Sequence, residues 1–232
     1  MMIRSIFLIL IFFVAAGVWA GAAPKKFKKV VMKPADQSSK DASLKKYMDN
    51  LKKIVKSKDL KGLKAASSPE FAYCFDSDGG FNLMVENWNL KSDPKNVKFW
   101  KLMEFLVNNG GTYQDGGYCR LPYWYGSLQY PEDSEGETVY YILAGQNVNI
   151  RKEPSSKSAV VAKLSYETVL YLESSDVTEN IGGEEYPWIK VRLSDGKEGY
   201  VFEKYLYGMY SFRAVFEKVD GQWKMSAMAE GD

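Results

Sequence analysis

Histidine is absent from all 232 residues. That absence removes Ser-His-Asp and Cys-His nucleophilic arrangements and every histidine-ligated metal site. Cysteine is nearly absent too: the chain has 2, Cys74 and Cys119, with no Cys-x-x-Cys spacing. Redox catalysis and a cysteine-ligated zinc site are therefore poor readings. No Gly-x-Gly-x-x-Gly, P-loop or Gly-x-Ser-x-Gly pattern occurs, so neither a phosphate cradle nor a serine nucleophile elbow is indicated. The lysine-rich stretches carry little arginine and interleave leucine, which disfavours nucleic-acid readout. No cofactor and no metal are implied.

What is present is a globular composition, 46% hydrophobic and 15% aromatic, at a net charge of +2. Charge is unevenly spread. Residues 24–130 carry 19 Lys and Arg against 11 Asp and Glu, and residues 131–232 carry 11 against 18. Attraction to anionic envelope polymers, or between the chain's own halves, fits this asymmetry.

Residues 6–18 are almost wholly apolar, preceded by Arg4 and followed by Ala20, Gly21, Ala22 and Ala23. A charged start, a short apolar core and a small-residue cleavage site make the plan of a secretory signal peptide over residues 1–23. The core falls short of the ~20 residues that span a bilayer comfortably, although counting on to Ala23 keeps an uncleaved anchor open. Export to the periplasm or beyond is the expectation, with no integral span after cleavage. An oxidising compartment favours a Cys74–Cys119 disulfide. It would close a loop of about 45 residues, worth roughly 4 kcal/mol in the chain-entropy view; two buried free thiols are the alternative.

Residues 24–40, Lys-rich and without periodicity, read as a flexible leader. Residues 41–137 read as a mainly helical domain. Leu44, Tyr47, Met48, Leu51, Ile54 and Val55 recur at helical spacing. Ser57 and Asp59 open a second short helix, Phe81, Met84, Val85 and Trp88 mark a third, and Asp93-Pro94 starts a fourth that ends at Asn108-Asn109-Gly110-Gly111. Residues 112–131 read as a Gly- and aromatic-rich loop containing Tyr123 and Trp124, either a ligand platform or a cover for the helical core. Residues 207–232 contain two β-type runs joined by Asp220-Gly221, a strong hairpin signal. An isolated hairpin is marginal in water, so this one is expected to pack back on the helices. The fold class is α+β: an amino-terminal helical domain, a small all-β barrel, and a carboxy-terminal β-hairpin.

The barrel is read over residues 138–206, where short β-rich runs alternate with turn chemistry and an acidic loop. Asn149, Ile150, Arg151 and Pro154, then Val160 and Leu164, Trp188 to Val191, Gly199-Tyr200-Val201 and Tyr205-Leu206 follow one another in an order that resembles a bacterial SH3 (SH3b) domain. The whole arrangement is similar to exported bacterial proteins carrying such a domain, some with a comparable Gly-x-Trp-Lys hairpin, here Gly221 to Lys224. The resemblance implies fold more than function, since one barrel hosts many partners.

The leading reading is a non-enzymatic exported binding protein, whose barrel and adjacent aromatic loops take a peptidoglycan peptide or an envelope protein. Asn149, Arg151, Tyr186, Trp188 and Tyr200 on the barrel, with Tyr123 and Trp124 beside it, are the candidate ligand-binding residues. Trp188 and Tyr200 could equally be packing residues, and Arg151 could serve loop carbonyls through its donor fork. A second reading is a scaffold or inhibitor-like protein that works through the helical domain. A third is a carboxylate-dependent hydrolase, since two acids suffice for glycoside cleavage, with Asp76, Asp78, Glu86, Glu104 and Asp115 as candidates.

Overall fold

The computed structural model describes residues 26–74, 80–127, 131 and 139–231. The apolar amino-terminal run, Asp76, Asp78 and Tyr130 lie outside them.

Helix α1 (Ala42–Ser57) forms where apolar spacing places it, with Leu44, Met48, Leu51, Ile54 and Val55 buried on one face. Asp41 caps it, accepting the Leu44 N–H at 2.9 Å, and Lys58 ends it in the left-handed region at φ 54°. Helix α2 (Leu60–Ala66) starts from Asp59, whose carboxylate accepts the Gly62 N–H; Ser57 is instead the last residue of α1. Strand β1 (Ser67–Tyr73) and helix α3 (Gly80–Asn87) precede α4 (Val97–Asn108). The last begins at Val97 and not at Asp93-Pro94, because the Asn96 side chain supplies the cap by accepting the Phe99 N–H at 3.1 Å.

Residues 112–131 depart from the expected loop. Strands β2 (Thr112–Gln114) and β3 (Tyr118–Leu121) form a hairpin, followed by α5 (Tyr123–Ser127). The barrel then contributes β4 (Tyr140–Leu143), β5 (Val148–Arg151), β6 (Val160–Leu164), β7 (Thr168–Ile181), β8 (Glu184–Arg192), β9 (Glu198–Phe202) and β10 (Leu206–Tyr207). The expected acidic loop is a β-ribbon made by the outer parts of β7 and β8, turning at Gly182-Gly183. Strands β11 (Arg213–Val219) and β12 (Gln222–Ala229) complete the chain.

Two sheets result, ordered β1-β12-β11-β3-β2 and β10-β4-β7-β8-β9-β5-β6. In the first, β1 and β12 run parallel and the other pairs are antiparallel. Its inner face adds Phe71, Leu121, Phe216, Met225 and Met228 to the core formed by α1 and α4. The returning hairpin is also latched to the helices. Lys218 pairs with Asp41 at 2.7 Å, the Trp223 indole donates to Ser43 Oγ at 3.0 Å, and Lys224 donates to the Ala65 carbonyl at 2.7 Å.

The barrel sits in the connection between β3 and β11, which pair with each other. Its own first and last strands also pair, Leu206 opposite Leu143. A separate apolar cluster of Met32, Trp124, Ile142 and Tyr207 joins the two units, with Phe105 packed against it.

Residues 26–40 are not a free leader. The Thr168 and Met32 N–H groups bond to Val30 and Tyr166 carbonyls at 3.0 and 2.7 Å, and Trp124 Nε1 donates to the Met32 carbonyl at 2.7 Å. Farther along this strap, the Gln37 N–H donates to the Gly111 carbonyl and the Gly111 N–H donates to the Ala35 carbonyl, each at 3.0 Å. Gly110 (φ 66°) lets it pass, since a Cβ there would meet the Ala35 carbonyl oxygen at 2.3 Å. Buried Phe27 and Met32 explain the order: composition is lysine-rich, but the apolar residues between the lysines find cover.

The expected disulfide is also corrected. Cys74 and Cys119 are both free. Cys74 follows β1 and Cys119 lies on β3, with β12 and β11 between them. Three strand spacings of about 4.8 Å exceed the Cα separation a bridge tolerates.

Three outcomes follow from this packing. Phe216 is fully buried and edge-on to Tyr47, so Phe216→Ala should cost about 3–5 kcal/mol in urea unfolding. Lys218, the Ser43 hydroxyl and the Leu44 N–H hold the Asp41 carboxyl well below the usual carboxylate range. A depressed folded pKa gives stability that is complete above about pH 4 and is lost as pH falls further. The melting-temperature gap between wild type and Asp41→Asn should therefore be widest near neutrality and narrow steadily in acid. Burial pushes the Cys119 thiol up to about 12; a thiol reagent should find two groups in denaturant, and Cys119 should stay unreactive in the native protein at pH 8.

Candidate functional site

Strand alternation sorts the barrel residues into two faces. Val148 and Ile150 of β5, Ile189 and Val191 of β8, and Val201 of β9 fill the barrel core. Asn149, Arg151, Tyr186, Trp188, Tyr200 and Phe202 occupy the alternate positions and share the outer side. Trp188 stands opposite Phe202 across the β8–β9 pair, with ring centroids 3.7 Å apart.

Around that stacked pair lies a cavity of about 190 Å³, bordered by Asn147, Asn149, Arg151, Trp188, Phe202 and Tyr205. Trp188 is only 1% exposed, yet among the described residues its Nε1–H has no hydrogen-bond partner, and Asn149 Oδ1 is buried without one as well. An orphaned buried polar atom costs about 1–3 kcal/mol. Here one is a donor and the other an acceptor, both on residues bordering one cavity. A peptide unit, carrying a carbonyl and an N–H, would satisfy the two together. Arg151 shapes the rim: its Nη1 donates to the Ser158 carbonyl at 2.6 Å and fixes the β5–β6 turn.

A larger cleft of about 880 Å³ runs between the barrel and α4, reaching from Tyr205 to Phe105 and Phe212. Tyr186 lies here, its hydroxyl donating to Glu184, which also pairs with Lys101 of α4 at 2.7 Å. Burial and Glu184 push the Tyr186 phenol up to about 12. The Lys204 ammonium stands 5.1 Å from both the Tyr186 and Tyr205 ring centroids.

The structure therefore brings Asn149, Arg151 and Trp188 together and puts Tyr186 in the adjoining cleft. Tyr200, opposite Arg151 and Lys190 in register, borders neither space. Trp124 is fully buried in the seam and Tyr123, half-buried, packs against the same cluster; neither borders the Trp188 cavity or the adjoining cleft. Sequence reasoning missed Phe202 and Tyr205 as wall residues. The signal was available in the alternation Tyr200-x-Phe202, which places Phe202 on the Trp188 side.

Of the candidate acids, Glu86, Glu104 and Asp115 are exposed. Among the described residues no group of three or more His, Cys, Asp or Glu could hold a metal. No described helix is long and apolar enough to cross a membrane.

No curated protein and no solved structure matches the chain. A match to a protein family does cover residues 146–207, the stretch that carries the Trp188 cavity, and it identifies this part of the chain as a bacterial SH3 domain.

Proposed function

We propose that the protein is a non-enzymatic binding protein of the cell envelope, exported through its amino-terminal apolar segment, whose SH3 barrel seats an extended peptide of the cell wall at the Trp188 cavity. Bacterial SH3 domains commonly bind peptidoglycan, and the cavity adds the chemistry by which this one would do so. The observation that carries the reading is the paired orphan donor and acceptor, Trp188 Nε1 and Asn149 Oδ1. A ligand carbonyl accepts from the indole while a ligand N–H donates to the amide oxygen. Sugar rings would present hydroxyls instead, without the fixed one-donor, one-acceptor spacing of a peptide unit. The stacked Phe202 and the Arg151-braced turn hold both groups before binding, so little ordering cost falls on the protein.

Purified peptidoglycan should retain the protein at low salt, and soluble stem peptides should compete it off. Asn149→Ala removes one hydrogen bond at a half-buried position and should weaken peptide binding about fivefold to tenfold, with an unchanged melting temperature. Trp188→Phe should weaken it comparably while keeping the ring stack. Absence of retention at low salt, or full affinity in both variants, sinks the reading.

A further inference from the structure

A second recess, about 420 Å³, lies where the barrel meets the carboxy-terminal hairpin. Tyr141 of β4 and Tyr171 of β7 form one wall, with ring centroids 6.1 Å apart. Glu203, Tyr210 and Glu230 form the other. Among the described residues these two glutamates are the only charged ones bordering it; no lysine or arginine does. Neither glutamate joins an ion pair among the described residues. Tyr210 is 48% exposed, an aromatic face left open at the rim. The backbone crosses directly over Tyr141 at Gly208, where a Cβ would come within 2.8 Å of the ring, so the ring is held from above. Burial, then Tyr171, Glu203 and Tyr210, raise the Tyr141 phenol above its ordinary value, which marks a field hostile to added negative charge.

Three tyrosines and two uncompensated carboxylates select a cation. A hard divalent metal prefers six or more oxygen ligands, whereas an alkylammonium gains from aromatic faces and carboxylates together. The larger cleft borders both spaces: it shares Glu203, Leu206, Ser211 and Glu230 with this recess and Tyr205 with the Trp188 cavity.

We propose that this recess takes the side-chain ammonium of a peptide whose backbone occupies the Trp188 cavity, a proposal that rests on the peptide-binding reading above. Charge at the recess then selects among wall peptides, favouring those with a free side-chain amine.

The test uses the full chain and two blocked tripeptides, acetyl-Ala-Lys-Ala-amide and acetyl-Ala-norleucine-Ala-amide, alike in backbone and length and different in charge. By calorimetry at low salt the lysine peptide should bind about tenfold tighter. The preference should vanish in the Glu203→Gln, Glu230→Gln double variant. Asn149→Ala should weaken both peptides by one factor and leave their ratio intact. Equal affinities in wild type, or a preference that survives the double variant, overturn the proposal. If neither peptide binds, the peptide-binding reading has failed, and n-butylammonium chloride against 1-butanol then decides the recess alone. Shifts of tyrosine ring resonances with the ammonium only, lost in the double variant, support a cation site; their absence overturns it.

Discussion

The five-stranded sheet exists because the chain returns to it. Strands β12 and β11 lie between β1 and β3, so the last strands to be made fill the middle of the sheet. Without them, β1 and the β2–β3 hairpin have no common neighbour, and Phe216, Met225 and Met228 are missing from the core under α1 and α4. Neither part stands well alone, since a two-stranded hairpin is marginal and the helices would expose their apolar faces. Loop-closure entropy grows only logarithmically with length. A whole barrel can therefore sit in the connection between β3 and β11 at modest entropic cost, provided its own ends come together, as the β4–β10 pair ensures.

Closure fixes where the barrel begins and ends; the seam fixes how it is turned. Trp124, Ile142 and Tyr207 are almost wholly buried there, and burying one such side chain is worth about 1.5–3 kcal/mol. The charge asymmetry contributes on the same seam. Lys29 with Glu167 and Lys101 with Glu184 join the basic part of the chain to the acidic part. Exposed pairs of this kind are worth about 0–1 kcal/mol each, so the apolar cluster, and not the ion pairs, holds the units together.

Local signals were legible in the sequence and non-local ones were not. Helical periodicity located α1 and α4, and Asp220-Gly221 located the β11–β12 turn. Strands β2 and β3 escaped because they are short, and β1 because its parallel partner lies at the far end of the chain. The strap over residues 26–40 escaped for another reason. Phe27, Val30 and Met32 look isolated among lysines until the barrel and Trp124 provide partners. The cysteine pairing failed on geometry alone, since composition and compartment say nothing about the two strands that separate the thiols. In the barrel, the outer position of Asn149, Arg151 and Trp188 follows from alternation, but that the indole and the amide oxygen would both lack partners is a property of three-dimensional packing.

That packing makes the site dependent on the whole chain. The Trp188 cavity is bordered by barrel residues alone, with Phe202 stacked and Arg151 anchored to the β5–β6 turn. The neighbouring tyrosine–glutamate recess is not: Tyr210 and Glu230 flank the returning hairpin, and the cleft between the two spaces is closed on one side by α4. A barrel excised from the chain would keep the Trp188 cavity and lose the recess. Inserting the module between two paired strands thus does more than tether it. It sets a glutamate-bearing wall at a fixed position near the Trp188 cavity, so the surroundings of the barrel's own cavity are shaped by the host fold.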